Sequence, residues 1–147
     1  MKGSLTVILT LCFTTGLFAQ HDQIAGVWYD QDKRAKIEIF KEGDKFFGKT
    51  IWVKEPNSPD GQPLTDKKNP DAKLRTQPII ELVIIKNLAY NEKSKKWEGG
   101  TVYDPESGNT YKIYMWFEGN QTDALNLRGY LGVSLLGRNQ IWTRTTK

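Results

Sequence analysis

Short apolar runs separated by turn residues follow one another along the chain from Gly26 onward. Ala35, Ile37 and Ile39 alternate with polar residues, which is the period of two that a half-buried strand requires. No window shows the i, i+3, i+4, i+7 spacing of an amphipathic helix. Further runs predict strands over 46–53, 79–85, 97–103, 111–117, 124–130 and 140–145, with 131–136 leading into the last of them. We therefore expect an all-β domain of about eight antiparallel strands.

An open antiparallel meander of this size would leave two edge strands with unpaired backbone groups. Pairing of the first strand with the last removes both edges, so we expect a single up-and-down barrel. The two-sheet sandwich is the competing all-β fold. An eight-stranded barrel encloses enough volume for packed side chains or for one small ligand, and its interior is therefore the first place to look for function.

The segment 54–77 interrupts this succession of strands. Its prolines are Pro56, Pro59, Pro63 and Pro70. They exclude a central strand, and the segment is too long for an ordinary hairpin loop. Long loops of this kind are often functional. Within it, 71–75 is expected to form one helical turn.

The first 20 residues are predicted to be a secretory signal peptide rather than part of the fold. Lys2 precedes an uncharged run over 5–18, which at about 14 residues is shorter than the ~18–20 that a membrane-spanning helix needs. We therefore expect a domain over 21–147 that a bacterium exports to its periplasm or secretes, with no stable membrane span after cleavage. Cys12 lies inside the uncharged run and is expected to be removed with it.

Charge and titratable residues argue against several classes of function. The 21 Lys and Arg residues and 17 Asp and Glu residues are scattered, so no basic stripe for nucleic acid is indicated. One His and one Cys cannot supply a zinc cage, a disulfide framework or a cysteine redox pair. We expect no metal, no cofactor and no catalytic residues. Carboxylate-only catalysis by Glu38, Glu81, Asp104 or Glu118 has no supporting motif.

Two tryptophans and an arginine lie near the two ends of the predicted domain. Gly26-Val27-Trp28 opens the first strand, and Trp142-Thr143-Arg144 lies in the last. Barrel closure makes these strands neighbours, and Arg144 laid across the Trp28 ring would add a cation–π contact of about 0.5–2 kcal/mol. We predict that Trp28, Trp142 and Arg144 form a structural plug at one end of the barrel. This arrangement resembles the lipocalin-like superfamily.

A longer series of motifs covers nearly the whole predicted domain. In chain order these are Gly26-x-Trp28, Asp66-x-x-Asn69-Pro70-Asp71 with Arg75, Trp97-x-Gly99-Gly100-x-Val102-Tyr103-Asp104-Pro105 with Gly108 and Tyr111, Leu127-Arg128-Gly129-Tyr130-Leu131-Gly132, Leu136-Gly137-Arg138, and Trp142-x-Arg144. The series resembles a family of exported bacterial proteins, domain of unknown function 2147. The resemblance implies a signal peptide, a small lipocalin-like or streptavidin-like barrel and no established enzymatic activity. Glu81 departs from the family pattern, in which a Gly is expected.

Six residues are predicted to contact a ligand: Trp52, Arg75, Lys112, Tyr114, Trp116 and Arg128. Lys112, Tyr114 and Trp116 share one face of their strand. If that face looks inward, it offers aromatic rings with a few polar groups, as small-ligand pockets do. Packing on the outer surface under the long loop is the alternative.

The long loop offers a second group of candidates. Arg75, with Asn69 and Asp71 and with Arg128 from a late strand, could form a polar mouth that holds a carboxylate or phosphate through the fixed fork of arginine donors. In the alternative, Asp71 caps the short turn and pairs with Arg75 four residues later.

The functional hypothesis is an exported, non-enzymatic β-barrel protein that binds a small apolar or amphipathic molecule inside the barrel. The alternative is a ligand-free interaction module of the cell envelope, whose filled barrel displays the 54–77 loop to a protein partner. An enzyme ranks third. A continuous internal cavity of ~300 Å3 or more would favour the first hypothesis, and a filled interior would favour the second.

Overall fold

The computed structural model of the chain describes residues 20–133 and 137–147. The predicted signal peptide, except its last residue, and part of the apolar run 131–136 lie outside the described residues. The strands are β1 (Gly26–Tyr29), β2 (Ala35–Glu42), β3 (Lys45–Val53), β4 (Val83–Asn91), β5 (Lys96–Asp104), β6 (Asn109–Phe117), β7 (Ala124–Tyr130) and β8 (Arg138–Thr145). A 3-10 turn spans Ala72–Leu74. Within the described ranges, no helix is long and apolar enough to cross a membrane.

The eight strands form one closed antiparallel barrel in sequence order. Closure is made by β1, which pairs with β2 on one side and with β8 on the other. Trp28 in β1 lies opposite Ile37 of β2 and opposite Arg144 of β8. The predicted all-β up-and-down barrel is confirmed, and the two-sheet sandwich is not formed.

The strand predicted over 79–85 is wrong in its position, because β4 occupies Val83–Asn91. Glu81 has a φ of 68°, in the left-handed region, which interrupts extended backbone just before the strand. Asn87 has a φ of 62° in the middle of β4 and disturbs the alternation that would have marked the strand in the sequence. The connection between β3 and β4 is therefore the loop 54–82.

The barrel has two chemically different ends, called here the base and the mouth. The base is where β1 begins; the N-terminal segment 20–25 and the turns after β2, β4 and β6 lie there. The mouth carries the turn 30–34, the loop 54–82, the turn 105–108 and the connection from β7 to β8.

Large inner-facing side chains fill the half of the barrel next to the base. Those with at most 2% of their surface exposed include Trp28, Ile39, Phe46, Leu88, Trp97, Met115 and Leu125. Phe117 packs edge-on against Trp97 with ring centroids 5.4 Å apart. A Cβ at Gly100 would lie 2.6 Å from the carbonyl oxygen of Lys86, so only glycine allows β4 and β5 to approach so closely here.

Candidate functional site

The base of the barrel is closed by Arg144, whose guanidinium lies over the ring of Trp28. Trp28 is fully buried, and Cζ of Arg144 lies 4.2 Å from the ring centroid. The indole Nε1 of Trp28 donates to the carbonyl oxygen of Ile24 at 2.9 Å. The three guanidinium nitrogens donate to the carbonyl oxygens of Thr122, Ala25 and Gln23. One arginine therefore joins β8, the N-terminal segment and the β6–β7 connection.

Gly26 leaves the room that Arg144 needs. A Cβ at this position would lie 2.7 Å from Nη1 of Arg144, and the φ of Gly26 is 140°. Burial lowers the pKa of Arg144, which the nearby Asp123 carboxylate partly opposes. The guanidinium nevertheless stays charged, because the pKa of an arginine lies far above neutral pH. The Gly-x-Trp motif and the late Arg thus form a single packing unit, whose stabilising role stays a prediction.

The mouth half of the interior is lined differently, and strand register fixes which side chains face it. Arg138 lies opposite Gly129, and Gly129 lies opposite Ile113, which is only 1% exposed in the core. Directly opposed residues of neighbouring strands point to the same face of a sheet. Gln140 lies between Arg138 and the buried Trp142 at spacings of two, so it shares that face. Arg138 and Gln140 both point into the barrel.

These two polar side chains of β8 are exposed although they face inward. Beneath them the interior closes with Leu127, which is 5% exposed, and Trp142, which is 4% exposed. Tyr111 contributes from β6, two residues before the inner-facing Ile113. A Cβ at Gly129 would meet only the Cβ of Tyr111, at 3.9 Å. The interior is therefore apolar and packed toward the base, and polar and solvent-accessible toward the mouth.

Asp66 anchors the long loop to the barrel wall. Its side chain is 0% exposed, and its carboxylate accepts hydrogen bonds from Tyr103 Oη at 2.6 Å, Asn69 Nδ2 at 2.7 Å and Gln77 Nε2 at 3.2 Å. Desolvation, together with the bond to this carboxylate, raises the pKa of Tyr103 to about 12. The phenol therefore remains a donor at neutral pH. The Asp66-x-x-Asn69 motif fixes the loop to β5 at Tyr103.

Two cationic side chains reach the β5–β6 turn from other parts of the mouth. Nη2 of Arg34, in the β1–β2 turn, donates to Glu106 Oε1 at 2.8 Å. Nζ of Lys68, in the long loop, donates to the carbonyl oxygen of Glu106 at 2.6 Å. Because β1–β2 and β5–β6 lie on opposite sides of an eight-stranded barrel, the Arg34 contact crosses the mouth and covers part of it.

Three of the predicted ligand residues, Lys112, Tyr114 and Trp116, lie on the outer face of β6. They alternate with Ile113, which is 1% exposed, and Met115, which is 0% exposed, and these two point into the core. The inward orientation on which the aromatic pocket depended is therefore wrong. Both faces of this strand are apolar in the sequence, and the aliphatic face is the one that packs in the interior.

A cation covers the rings on this outer face. Nζ of Lys96 lies 4.7 Å from the ring centroid of Tyr114 and 5.2 Å from that of Trp116. Arg128 lies opposite Tyr114 on the same outer face, and its Nη1 donates to Asn139 Oδ1 at 2.6 Å. These contacts stabilise the outer wall, and a ligand role for these residues stays a prediction.

Trp52 is also placed on the outer face, at the mouth end of β3. It is 38% exposed and packs edge-on against Tyr29 with ring centroids 6.0 Å apart. Nζ of Lys36 lies 5.9 Å from the Trp52 ring and 5.1 Å from the Tyr29 ring. The structure thus separates Trp52 from the barrel interior.

Arg75 is held locally within the long loop. Its Nε donates to the carbonyl oxygen of Asn69 at 2.8 Å. Asp71 caps the 3-10 turn by accepting from the backbone N–H of Lys73 at 3.0 Å, as the alternative expects. The predicted helical turn is therefore present. The ion pair between Asp71 and Arg75 that the alternative also expects is not formed among the described residues. Arg128 faces outward from β7, so it does not line the inner side of the mouth with Arg75.

The inner-facing pair Arg138 and Gln140 was not among the six residues predicted from the sequence to contact a ligand. The signal that could have found it is the alternation of Arg138, Gln140 and Trp142, once Trp142 is assigned to the interior. Which face of this alternation points inward is known only once β8 is seen to begin at Arg138 and to pair with β7.

The described residues contain no group of three or more His, Cys, Asp or Glu side chains placed to hold a metal. The four carboxylates considered for catalysis lie in three different environments. Glu38 and Glu81 both contact Lys49 on the outer wall. Asp104 accepts hydrogen bonds from its own turn, and Glu118 accepts from an indole N–H at 2.6 Å.

Comparison with known proteins agrees with this architecture. A structure titled "Protein HP1028 from the human pathogen Helicobacter pylori belongs to the lipocalin family" superposes with a TM-score of 0.68, covering 84% of this chain and 83% of that one at 23% identity. At this identity the likeness shows the fold alone. No curated protein matches the chain. The family model described as "Uncharacterized protein conserved in bacteria (DUF2147)" matches residues 26–144, and the chain therefore belongs to the DUF2147 family.

Proposed function

We propose that the protein is an exported, non-enzymatic binding protein that holds a small amphipathic molecule in the mouth half of its barrel. The lipocalin-like fold supports this, because eight-stranded barrels of this kind have room for one small ligand. The observation that carries the proposal is that Arg138 and Gln140 face inward yet remain exposed.

The division of the interior limits the size of the ligand. Trp28, Trp97 and Phe46 fill the base half, so a ligand cannot extend through the whole barrel. Its apolar part would contact Leu127 and its polar part would stay at the level of Arg138. This combination of an apolar wall and a few polar groups is the usual composition of a small-molecule site.

Native mass spectrometry of protein purified from its own cells tests the proposal, together with thermal shifts across a panel of lipids and metabolites. We expect one small molecule to co-purify or at least one compound to raise the melting temperature. If neither is seen, the protein does not bind small molecules as proposed.

A variant that fills the mouth half gives a sharper version of this test. Gly129→Leu places an apolar side chain on the inner face where only the Tyr111 Cβ lies near, and Gly129 has no left-handed φ to strain. Asn126→Leu is the matched control, because it adds a similar side chain to the outer face of the same strand. We expect Gly129→Leu to abolish ligand binding and Asn126→Leu to retain it. Loss in both variants, or in neither, would place the ligand elsewhere.

Export is the second element of the proposal. It rests on the uncharged run 5–18 and on the polar residues that follow Gln20. Expression of the full chain in a Gram-negative host, followed by fractionation and N-terminal sequencing, tests it directly. A mature protein that begins near residue 21 in the periplasm or medium is expected. Retention of Met1 in the cytoplasm would contradict export.

The interaction module remains as a second candidate, favoured by the filled base half of the interior and by two exposed apolar side chains in the long loop. Leu74 is 43% exposed and Ile80 is 39% exposed. The Asp66 network ties this loop to β5 at Tyr103, and a loop held in this way loses less conformational freedom when it binds a protein partner. If no small molecule binds, affinity capture with the wild type and with a Leu74→Ser, Ile80→Ser variant would test this candidate. A partner retained by the wild type alone is expected.

A further inference from the structure

The mouth half of the barrel presents hydrogen-bond donors without matching acceptors. Among the described residues, the Arg138 guanidinium makes no hydrogen bond or ion pair. Asn139, the next residue in β8, lies on the outer face and accepts a hydrogen bond from Arg128 there. Arg128 is therefore on the opposite side of the barrel wall from Arg138. An inner-facing cation with no protein partner is suited to an anion.

Gln140 adds to the same donor set. Trp142 Nε1 lies 3.0 Å from Gln140 Oε1. An indole N–H can only donate, so the amide oxygen must be the atom that faces it. This leaves the amide NH2 of Gln140 as the group that Gln140 offers beside Arg138. Both side chains therefore donate.

Four carboxylates around the mouth are engaged elsewhere. Glu106 pairs with Arg34, and Asp104 accepts from the backbone and hydroxyl groups of its own turn. Asp66 is held by three donors within the loop network, and Asp30 accepts from the backbone of the β1–β2 turn. None of these acidic groups neutralises Arg138, so its positive charge is available to a ligand.

The surroundings of Arg138 indicate the chemistry of the rest of the ligand. Gly129 directly opposite has no side chain, which leaves space on the inner face beside Arg138. Deeper in the barrel Leu127 and Trp142 present apolar surface. A molecule that matches both the donors at the mouth and the apolar surface below them has an anionic head at the mouth and an apolar chain directed toward the base.

We propose that the barrel selects single-chain amphiphiles with an anionic head group, either a carboxylate or a phosphate, and that Arg138 together with Gln140 determines this selectivity. This inference rests on the proposed small-molecule function and adds the chemical class of the ligand. The planar fork of an arginine binds both head groups through paired hydrogen bonds.

Isothermal titration of the protein with dodecanoate, dodecyl phosphate and dodecanol tests the inference, with the two anions kept below their critical micelle concentrations and dodecanol below its solubility limit. The three probes share the same chain and differ in the head group. We expect at least one anion to bind about 10-fold or more tightly than the alcohol, as the loss of a charged hydrogen bond implies. The anion that binds more tightly identifies the head group.

Three variants separate the role of the guanidinium from general effects. Arg138→Gln should remove the difference between the anion and dodecanol, whereas Arg138→Lys should retain part of it, because lysine keeps the charge and loses the fork. Lys86→Gln removes a positive charge from the outer face of β4, opposite Thr101, and should leave all three affinities unchanged. Far-UV circular dichroism of each variant should match the wild type, since Arg138 is exposed.

The outcomes distinguish a failure of this inference from a failure of the proposed small-molecule function on which it rests. If none of the three probes binds, and the ligand panel is also negative, the proposed function fails. If dodecanol binds as tightly as both anions, or if Arg138→Gln leaves the anion affinity unchanged, the barrel still binds amphiphiles and the anion selectivity is overturned.

Discussion

Substitution of Trp28 by alanine removes the side chain on which closure of the base depends. The indole is fully buried, so its deletion combines lost burial with a cavity, for which tryptophan and phenylalanine to alanine changes cost about 3–5 kcal/mol. The change also removes the Arg144 contact at 4.2 Å and leaves the carbonyl oxygen of Ile24 without its donor. We expect the free energy of unfolding to fall by an amount near the upper end of that range.

Urea unfolding followed by far-UV circular dichroism measures this loss at constant pH and salt. Trp52→Ala is the matched control, because Trp52 is 38% exposed on the outer face, and its loss should stay below about 1 kcal/mol. A double-mutant cycle that combines Trp28→Leu, which removes the aromatic face, with Arg144→Met should give a coupling free energy of about 0.5–2 kcal/mol for the cation–π contact.

A loss below about 1 kcal/mol for Trp28→Ala would refute the reasoning, because no buried tryptophan sealing a barrel end is removed at so small a cost. Equal losses for Trp28→Ala and Trp52→Ala would refute it as well, since the outer wall would then contribute as much as the base. A coupling near zero would show that Arg144 acts through its three carbonyl contacts alone.

Three further changes are expected to alter stability in predictable directions, each measured by urea unfolding. Gly26→Ala should destabilise the protein by about 1–3 kcal/mol through a strained φ and a clash with Arg144, and an unchanged midpoint would contradict that packing. Glu81→Gly should stabilise the protein by about 0.5–1 kcal/mol, because relief of the left-handed φ outweighs the loss of an exposed ion pair with Lys49. A destabilised variant would mean that the ion pair is the larger effect. The pKa of Tyr103 is raised to about 12 in the folded state, so the free energy of unfolding should fall as the pH rises from 10 toward 12. Tyr103→Phe should abolish that part of the pH dependence. An identical pH profile in the variant would assign the dependence to other groups.

The sequence by itself determined the class of fold and how the barrel closes. Alternation at period two, broken by turn residues, is a local property that survives in any all-β fold. Closure follows from the need to pair the two edges, and the Gly26-x-Trp28 motif and Arg144 marked the strands that meet. The loop was recognised for an equally local reason, since proline cannot donate to a strand ladder.

Only the tertiary structure decided which face of each strand became the inside. In β6 both faces are apolar, so periodicity could not choose between Tyr114 and Met115, and the choice was made by what fits between the side chains of seven other strands. The position of β4 depended on the left-handed backbone of Glu81 and Asn87. A glycine at these positions would have indicated such a conformation in the sequence, but neither residue is glycine. Arg138 became a candidate because the pairing of β8 with β7 places its charged side chain opposite Gly129 on the inner face. No local sequence pattern encodes the register of that pairing.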